Sequence, residues 1–268
     1  MEITNMTRYG LTLVLFASFL TNAGAEVVTE TVDYQDGDTA LQGYVAWDNA
    51  MEGPRPGILV VHEWWGLNDY ARERARQLAS MGYVAFALDM YGAGKVTEHP
   101  QQAGEWAGMI TKNADAWQKR ALAGLNELTQ RAEVDADRLA AIGYCFGGAT
   151  VCQLAYSGAD LAGVVSFHGS LPLPAEDQSL ENGAKLLICH GDKDPLIPED
   201  KIGKFQDALD AAGADWQMIV YSDARHGFTN PGADQRGIGA LGYNENADRR
   251  SWKHMQVFFD ELFANGND

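Results

Sequence analysis

The chain has 268 residues, 46% of them hydrophobic, enough to bury a sizeable core. Asp and Glu number 37 against 20 Lys and Arg, for a formal net charge of −17. A surface of that sign repels nucleic-acid phosphates and anionic membranes, so neither is expected as a partner, and polyanionic substrates are disfavoured unless a local arginine pocket overcomes the field.

Arg8, the apolar stretch Leu11 to Leu20 and the small residues Ala23, Gly24 and Ala25 read as an export signal cleaved near Ala25. The apolar stretch is short for a bilayer span, which points to a bacterial periplasmic or secreted protein with no stable membrane association. Removing residues 1–25 leaves the charge unchanged because Glu2 and Arg8 cancel. Residues 26–268 contain no compositional linker and no repeat, as expected of a single α/β domain.

Val27–Tyr34 and Leu41–Trp47 read as an opening antiparallel pair. Apolar strands are then expected near 57–62, 83–88, 138–142, 163–167, 185–190 and 216–221, alternating with helices at 68–80, 101–131, 146–157, 199–212 and 246–264. Gly104 and Gly108 are possible breaks in the long 101–131 segment. The pattern predicts an α/β-hydrolase fold, a mostly parallel central sheet with helices on both faces.

The chemistry concentrates at predicted strand ends. Gly143-Tyr144-Cys145-Phe146-Gly147 has the G-x-nucleophile-x-G form of a strand-to-helix elbow, with cysteine as the nucleophile. The glycines leave room for the turn, and a helix N-terminus favours a thiolate and can donate to an oxyanion. In such folds an acid and then a histidine follow on later loops. Asp194, after the strand ending at His190, is the expected acid; Asp192 is its local competitor, placed within the turn where aspartate commonly bonds its own backbone. His226, after the last strand, is the expected base. A further acid, Glu63, follows the apolar run Pro56 to Val61 in His62-Glu63-Trp64-Trp65-Gly66.

With these segments, Asp89-Met90-Tyr91-Gly92, His226-Gly227-Phe228 and the terminal helix from Tyr243 through Trp252 to Phe259, the chain resembles the dienelactone hydrolase family over nearly all of residues 26–268. The resemblance implies a Cys145, Asp194, His226 triad joined by Glu63 as acceptor of the thiol proton. It also implies an oxyanion hole from the backbone N–H groups of Trp64 and Phe146, and hydrolysis of a small ester or lactone through a thioester. A broad carboxylesterase or thioesterase is the nearest alternative, and a non-catalytic thiol or binding protein on the same fold is the alternative from another class. The family's two carboxylate-binding arginines are replaced by Ala93 and Asn230, with Arg225 and Arg236 as possible substitutes.

Trp64, Trp65, Tyr91, Phe228 and Tyr243 fall on loops expected to border the nucleophile and suggest an apolar pocket, with segments 92–118 and 229–246 as covers. Cys152 and Cys189 read as core thiols, leaving Cys145 as the one exposed to oxidation. Of the six histidines, His62, His168, His190 and His226 lie near strand ends. No H-E-x-x-H, close His pair or C-x-x-C accompanies them, so no metal is expected, and no nucleotide cofactor is expected either. His168 and His190 read as hydrogen-bonded loop scaffolding.

Overall fold

The computed structural model describes residues 26–264; the predicted export signal at 1–25 lies outside them. Eight strands form one sheet: β1 (Val27–Asp36), β2 (Thr39–Asp48), β3 (Arg55–Val61), β4 (Val84–Leu88), β5 (Val134–Tyr144), β6 (Gly163–Phe167), β7 (Lys185–Gly191) and β8 (Trp216–Tyr221). Their order is β1-β2-β4-β3-β5-β6-β7-β8. The first two strands pair antiparallel, β2 pairs antiparallel with β4, and every other pairing is parallel.

Alternating side chains divide between two cores, as the two-residue period of a strand requires. In β3, Leu59 and Val61 face one side and Ile58 and Val60 the other; in β5, Leu139 and Ala141 oppose Ala140 and Ile142. Both sides are covered, which is why these strands are apolar runs rather than polar–apolar alternations. Helices α3 (Ala114–Thr129), α4 (Phe146–Tyr156) and α5 (Glu199–Ala211) close the first side through residues such as Leu125, Val151 and Phe205. Helices α1 (Asp69–Ala79) and α6 (Glu245–Ala264) close the second through Leu78, Met255 and Phe259.

The predicted helix over 101–131 is two helices, α2 (Pro100–Thr111) and α3. The break falls at Lys112 and Asn113 rather than at either glycine. Asn113 adopts an extended backbone and its side chain accepts the Ala116 N–H at 2.9 Å, so a capping interaction decides the boundary. Gly104 and Gly108 are carried inside α2.

The topology fixes where a site can form. From β3 the chain passes through α1 to β4 on one side, then returns through α2 and α3 to β5 on the other, so the crevice at the carboxyl ends of β3 and β5 is a topological switch point. Two glycines bring the elbow close against it. A Cβ at Gly147 would strike the backbone carbonyls of Val61 and His62, and one at Gly143 would strike the Gly147 carbonyl. Because the obstructing atoms are backbone, neither contact can relax by a rotamer change. Gly147→Ala is therefore expected to lower the urea midpoint by the equivalent of about 1–3 kcal/mol, the usual penalty for overpacking; an unchanged midpoint would contradict this account of the elbow.

Candidate active site

Five neighbouring strands each deliver a polar residue at their carboxyl ends. The loop after β3 carries His62 and Glu63; Cys145 follows β5, His168 follows β6, Asp194 follows β7 and His226 follows β8. Cys145 has φ 55° and ψ −112°, outside the regions ordinary residues occupy, and it stands immediately before α4. Of the three cysteines, which are all free, it alone is not fully buried. Burial pushes the Cys152 and Cys189 thiols up to about 12, holding both protonated.

Asp194 and His226 meet as the order of the motifs anticipates. His226 Nδ1–H donates to Asp194 Oδ2 at 2.7 Å, with both side chains out of solvent. Asp194 Oδ1 also accepts the Leu196 N–H at 2.9 Å, which fixes the carboxylate in its turn. Asp192 is exposed and lies 3.4 Å from Lys193, and among the described residues it is Asp194, not Asp192, that bonds the imidazole. The Nε2 edge of His226 is buried and is turned toward Cys145. Burial disfavours the imidazolium, but the interaction with Cys145 and the hydrogen bond and charge of Asp194 outweigh it and raise the ring to about 10.

Glu63 is buried, and its Oε2 accepts the Asn230 Nδ2–H at 2.6 Å. Desolvation raises its proton affinity above that of an ordinary glutamate; the Asn230 bond and the charge on His226 oppose the shift without cancelling it. Its loop is tied down on both sides. The buried His62 donates from Nδ1 to the Glu63 carbonyl at 2.5 Å and accepts the Met90 N–H on Nε2 at 3.2 Å, while burial keeps the ring neutral. Tyr91 Oη donates to the Trp64 carbonyl at 3.2 Å. The N–H groups of Trp64 and Phe146 make no hydrogen bond among the described residues, so both remain available to an acceptor.

The aromatic residues divide by burial. Trp64 and Tyr243 are partly exposed, whereas Trp65 and Phe228 are fully enclosed and Tyr91 nearly so. Phe228 packs on His168 and Tyr221, and Trp65 lies beneath the Arg236 guanidinium at 4.6 Å. These two rings support the loops from behind and offer no free surface to a ligand. Trp117, in the predicted cover, is instead core: it stacks on Phe146 and donates to Thr150 Oγ1 at 2.8 Å. Arg225 is committed to the Gly239 carbonyl at 2.9 Å and to Asp234 at 3.3 Å, and Arg236 pairs with Glu98 at 3.3 Å.

His168 accepts and donates bonds as loop scaffolding should, but His190 Nδ1 is buried without a partner among the described residues. A group centred on Arg74 has no counterpart in the sequence reading. Its buried guanidinium donates to Asp248 at 2.6 Å, to the Thr229 carbonyl at 2.7 Å and to Tyr70 Oη at 3.3 Å, joining α1 to α6 beneath the loop of His226. A basic residue at a buried position of the α1 stripe was the available signal. No cluster of three or more His, Cys, Asp or Glu side chains suited to a metal ion occurs among the described residues.

A family model described as the dienelactone hydrolase family matches residues 41–263. The chain belongs to the dienelactone hydrolase family. Among solved structures it is similar to a dienelactone hydrolase-like promiscuous phosphotriesterase from metagenomic libraries. That match has 41% identity and a TM-score of 0.85, and covers 89% of this chain and 99% of the other. A Salmonella typhimurium protein named "Putative carboxymethylenebutenolidase" is 28% identical over 228 residues, 82% of each chain. An acylaminoacyl peptidase from Pyrococcus horikoshii, at 17% identity and TM-score 0.64 over 87% of this chain and 41% of its own, shares the α/β-hydrolase fold alone.

Within this dienelactone hydrolase-family site, burial of Glu63 makes a testable demand on stability. Its carboxyl holds a proton more tightly folded than unfolded, so its contribution is fullest below the unfolded carboxyl range and is lost as pH rises through the folded value. Glu63→Gln, which can still accept from Asn230, should have a higher urea midpoint than the parent at about pH 8, with the gap closing toward about pH 4. Equal midpoints at both pH values would mean that Glu63 is not strained by burial.

Proposed function

We propose that this member of the dienelactone hydrolase family cleaves small esters or lactones by nucleophilic attack of Cys145. The observation that carries the reading is the buried Asp194–His226 bond, which leaves the Nε2 edge turned toward Cys145, with the ring's proton stabilised by its interaction with Cys145. In this mechanism the thiolate sulfur adds to the carbonyl carbon, and the oxyanion is received by the N–H groups of Trp64 and Phe146. Collapse breaks the C–O bond as the His226 imidazolium protonates the departing alkoxide, leaving a thioester on Cys145. Water then loses a proton to His226 and adds to the thioester. The second tetrahedral intermediate expels the thiolate, releases the acid and restores the imidazolium.

Glu63 is assigned the Cys145 thiol proton: it takes that proton as substrate enters, so that the attack begins from the thiolate, and returns it to the thiolate once the acid has left. Its raised affinity supports the role, because an ordinary exposed glutamate would be too weak an acceptor near neutral pH. Asp194 keeps Nδ1 protonated, so Nε2 is the edge that exchanges protons.

For substrate, Asn230 is engaged with Glu63, Arg225 is held by its own loop and Arg236 is paired with Glu98. None of these groups is an uncommitted cation for a substrate carboxylate, which supports neutral esters and lactones. The 41% identity to a promiscuous phosphotriesterase supports a neutral phosphotriester as a second class to test. The sequence of residues 8–25 supports export to the periplasm, which cell fractionation with N-terminal sequencing of the mature protein would check.

Reduced protein mixed with p-nitrophenyl acetate should give a burst and an acetyl adduct on Cys145 by mass spectrometry. Cys145→Ala should abolish turnover, and His226→Ala should lower kcat on the order of 10³-fold. Asp194→Asn should be strongly impaired and Asp192→Asn close to the parent. No burst and no adduct would end the hydrolase reading, and the reverse order of the two aspartate variants would end the assignment of the acid. In a paired panel, a neutral lactone should exceed its carboxylate-bearing analogue in kcat/KM, with the gap kept at high salt because screening removes only the surface contribution.

A further inference from the structure

We propose that His168 is a positioning residue for Cys145, locked in one tautomer by Thr229 so that its Nδ1 lone pair steadies the peptide entering the elbow. The inference rests on Cys145 being the nucleophile. The Cys145 N–H is shared between the Phe167 carbonyl at 3.0 Å and His168 Nδ1 at 3.2 Å. An amide N–H can only donate, so Nδ1 must be the unprotonated nitrogen and Nε2 must carry the hydrogen. Nε2 stands 2.7 Å from Thr229 Oγ1, which accepts that hydrogen.

The acceptor is itself held in place. Thr229 Oγ1 is 2.6 Å from Tyr70 Oη, and Arg74 donates both to Tyr70 Oη and to the Thr229 carbonyl. Arg74 is anchored in turn by Asp248. A continuous set of bonds thus runs from the elbow peptide to an ion pair joining α1 and α6. His168 is completely buried, its own N–H donates to the Cys189 carbonyl at 2.9 Å, and its φ of 41° is unusual for a residue with a side chain. Its ring meets that of His226 edge to face, with centroids 5.3 Å apart.

The bonded Cys145 peptide is the one from which Cys145 turns into φ 55°. Anchoring that plane at two acceptors limits rotation about the following N–Cα bond, which sets the direction of the sulfur. The other tautomer would aim Nδ1–H at the Cys145 N–H. Protonation would do the same while adding a cation beside His226, and burial together with the His226 charge holds His168 neutral against it.

Removing only the acceptor isolates the tautomer from the backbone at residue 168. Thr229→Val keeps the shape of the side chain but removes the oxygen, and should slow Cys145 acylation by p-nitrophenyl acetate about tenfold, the equivalent of one lost hydrogen bond. Thr229→Ser restores the hydroxyl and should acylate within about twofold of the parent. Likewise His168→Asn should outperform His168→Leu, since an amide oxygen can replace the Nδ1 acceptor and asparagine tolerates positive φ. Equal rates for the Val and Ser variants would overturn the proposal.

A second measurement needs no turnover. Histidine ¹⁵N NMR of the parent protein, with His168 assigned by its loss in His168→Asn, should show an unprotonated Nδ1 and a protonated Nε2. The opposite tautomer or an imidazolium would overturn the proposal. Parent protein that never acylates would instead count against Cys145 as nucleophile, while the ¹⁵N spectrum would still decide the tautomer.

Discussion

The site depends on one backbone constraint, the positive φ of Cys145. A residue with a side chain held there costs on the order of 1–3 kcal/mol, so surrounding contacts must over-determine it. Before the turn, Gly143 lets β5 lie against the start of α4; after it, Gly147 lets α4 press onto the carbonyls at the end of β3. The peptide between Tyr144 and Cys145 is bonded to β6 and to His168. The strain is thereby distributed over three neighbouring strands. What it yields is a thiol raised above the sheet, at the start of a helix whose first N–H remains free.

A second requirement is electrostatic. The chain carries a strong negative charge, yet the acids near the elbow are individually compensated. Asp194 is compensated by an imidazole and a backbone N–H, and Asp248 by Arg74. Glu63 differs because its direct partner is a neutral amide. Neutral hydrogen bonding offsets desolvation only partly, which is why Glu63 keeps an elevated proton affinity, whereas Asp194 faces an imidazole that can itself become cationic. Two buried carboxylates in one site thus sit in different electrostatic surroundings, a neutral amide for one and an imidazole for the other.

The elbow, the meeting of Asp194 with His226 and the strand positions were legible because each rests on local patterns: small residues around Cys145, apolar runs, and turns with aspartate. The same locality explains the limits. Gly104 and Gly108 were conspicuous as helix breakers, whereas Asn113 decided the boundary through one side-chain bond. Trp65 and Phe228 fell on the right loops but face away from solvent, since sequence places a residue on a loop without saying which side of the loop it takes. Arg74 joins segments far apart in the chain, to Thr229 and to Asp248, and no window of sequence contains such a group.

Position 230 shows how a single departure from the family pattern acquires a second meaning in three dimensions. Read along the chain, asparagine there is the absence of a cation for an anionic substrate. In the folded protein its Nδ2 donates to Glu63 while its Oδ1 accepts the Gly232 N–H at 2.8 Å, so the amide bridges the carboxylate and the turn beyond it. An asparagine amide carries no charge, so it neither draws a substrate carboxylate nor holds Glu63 ionised as strongly as a guanidinium would. On the proposed mechanism, substrate charge and thiol activation are thereby linked at one residue. The asparagine that offers no charge to an anion therefore also leaves the buried glutamate a better proton acceptor than a guanidinium in its place would.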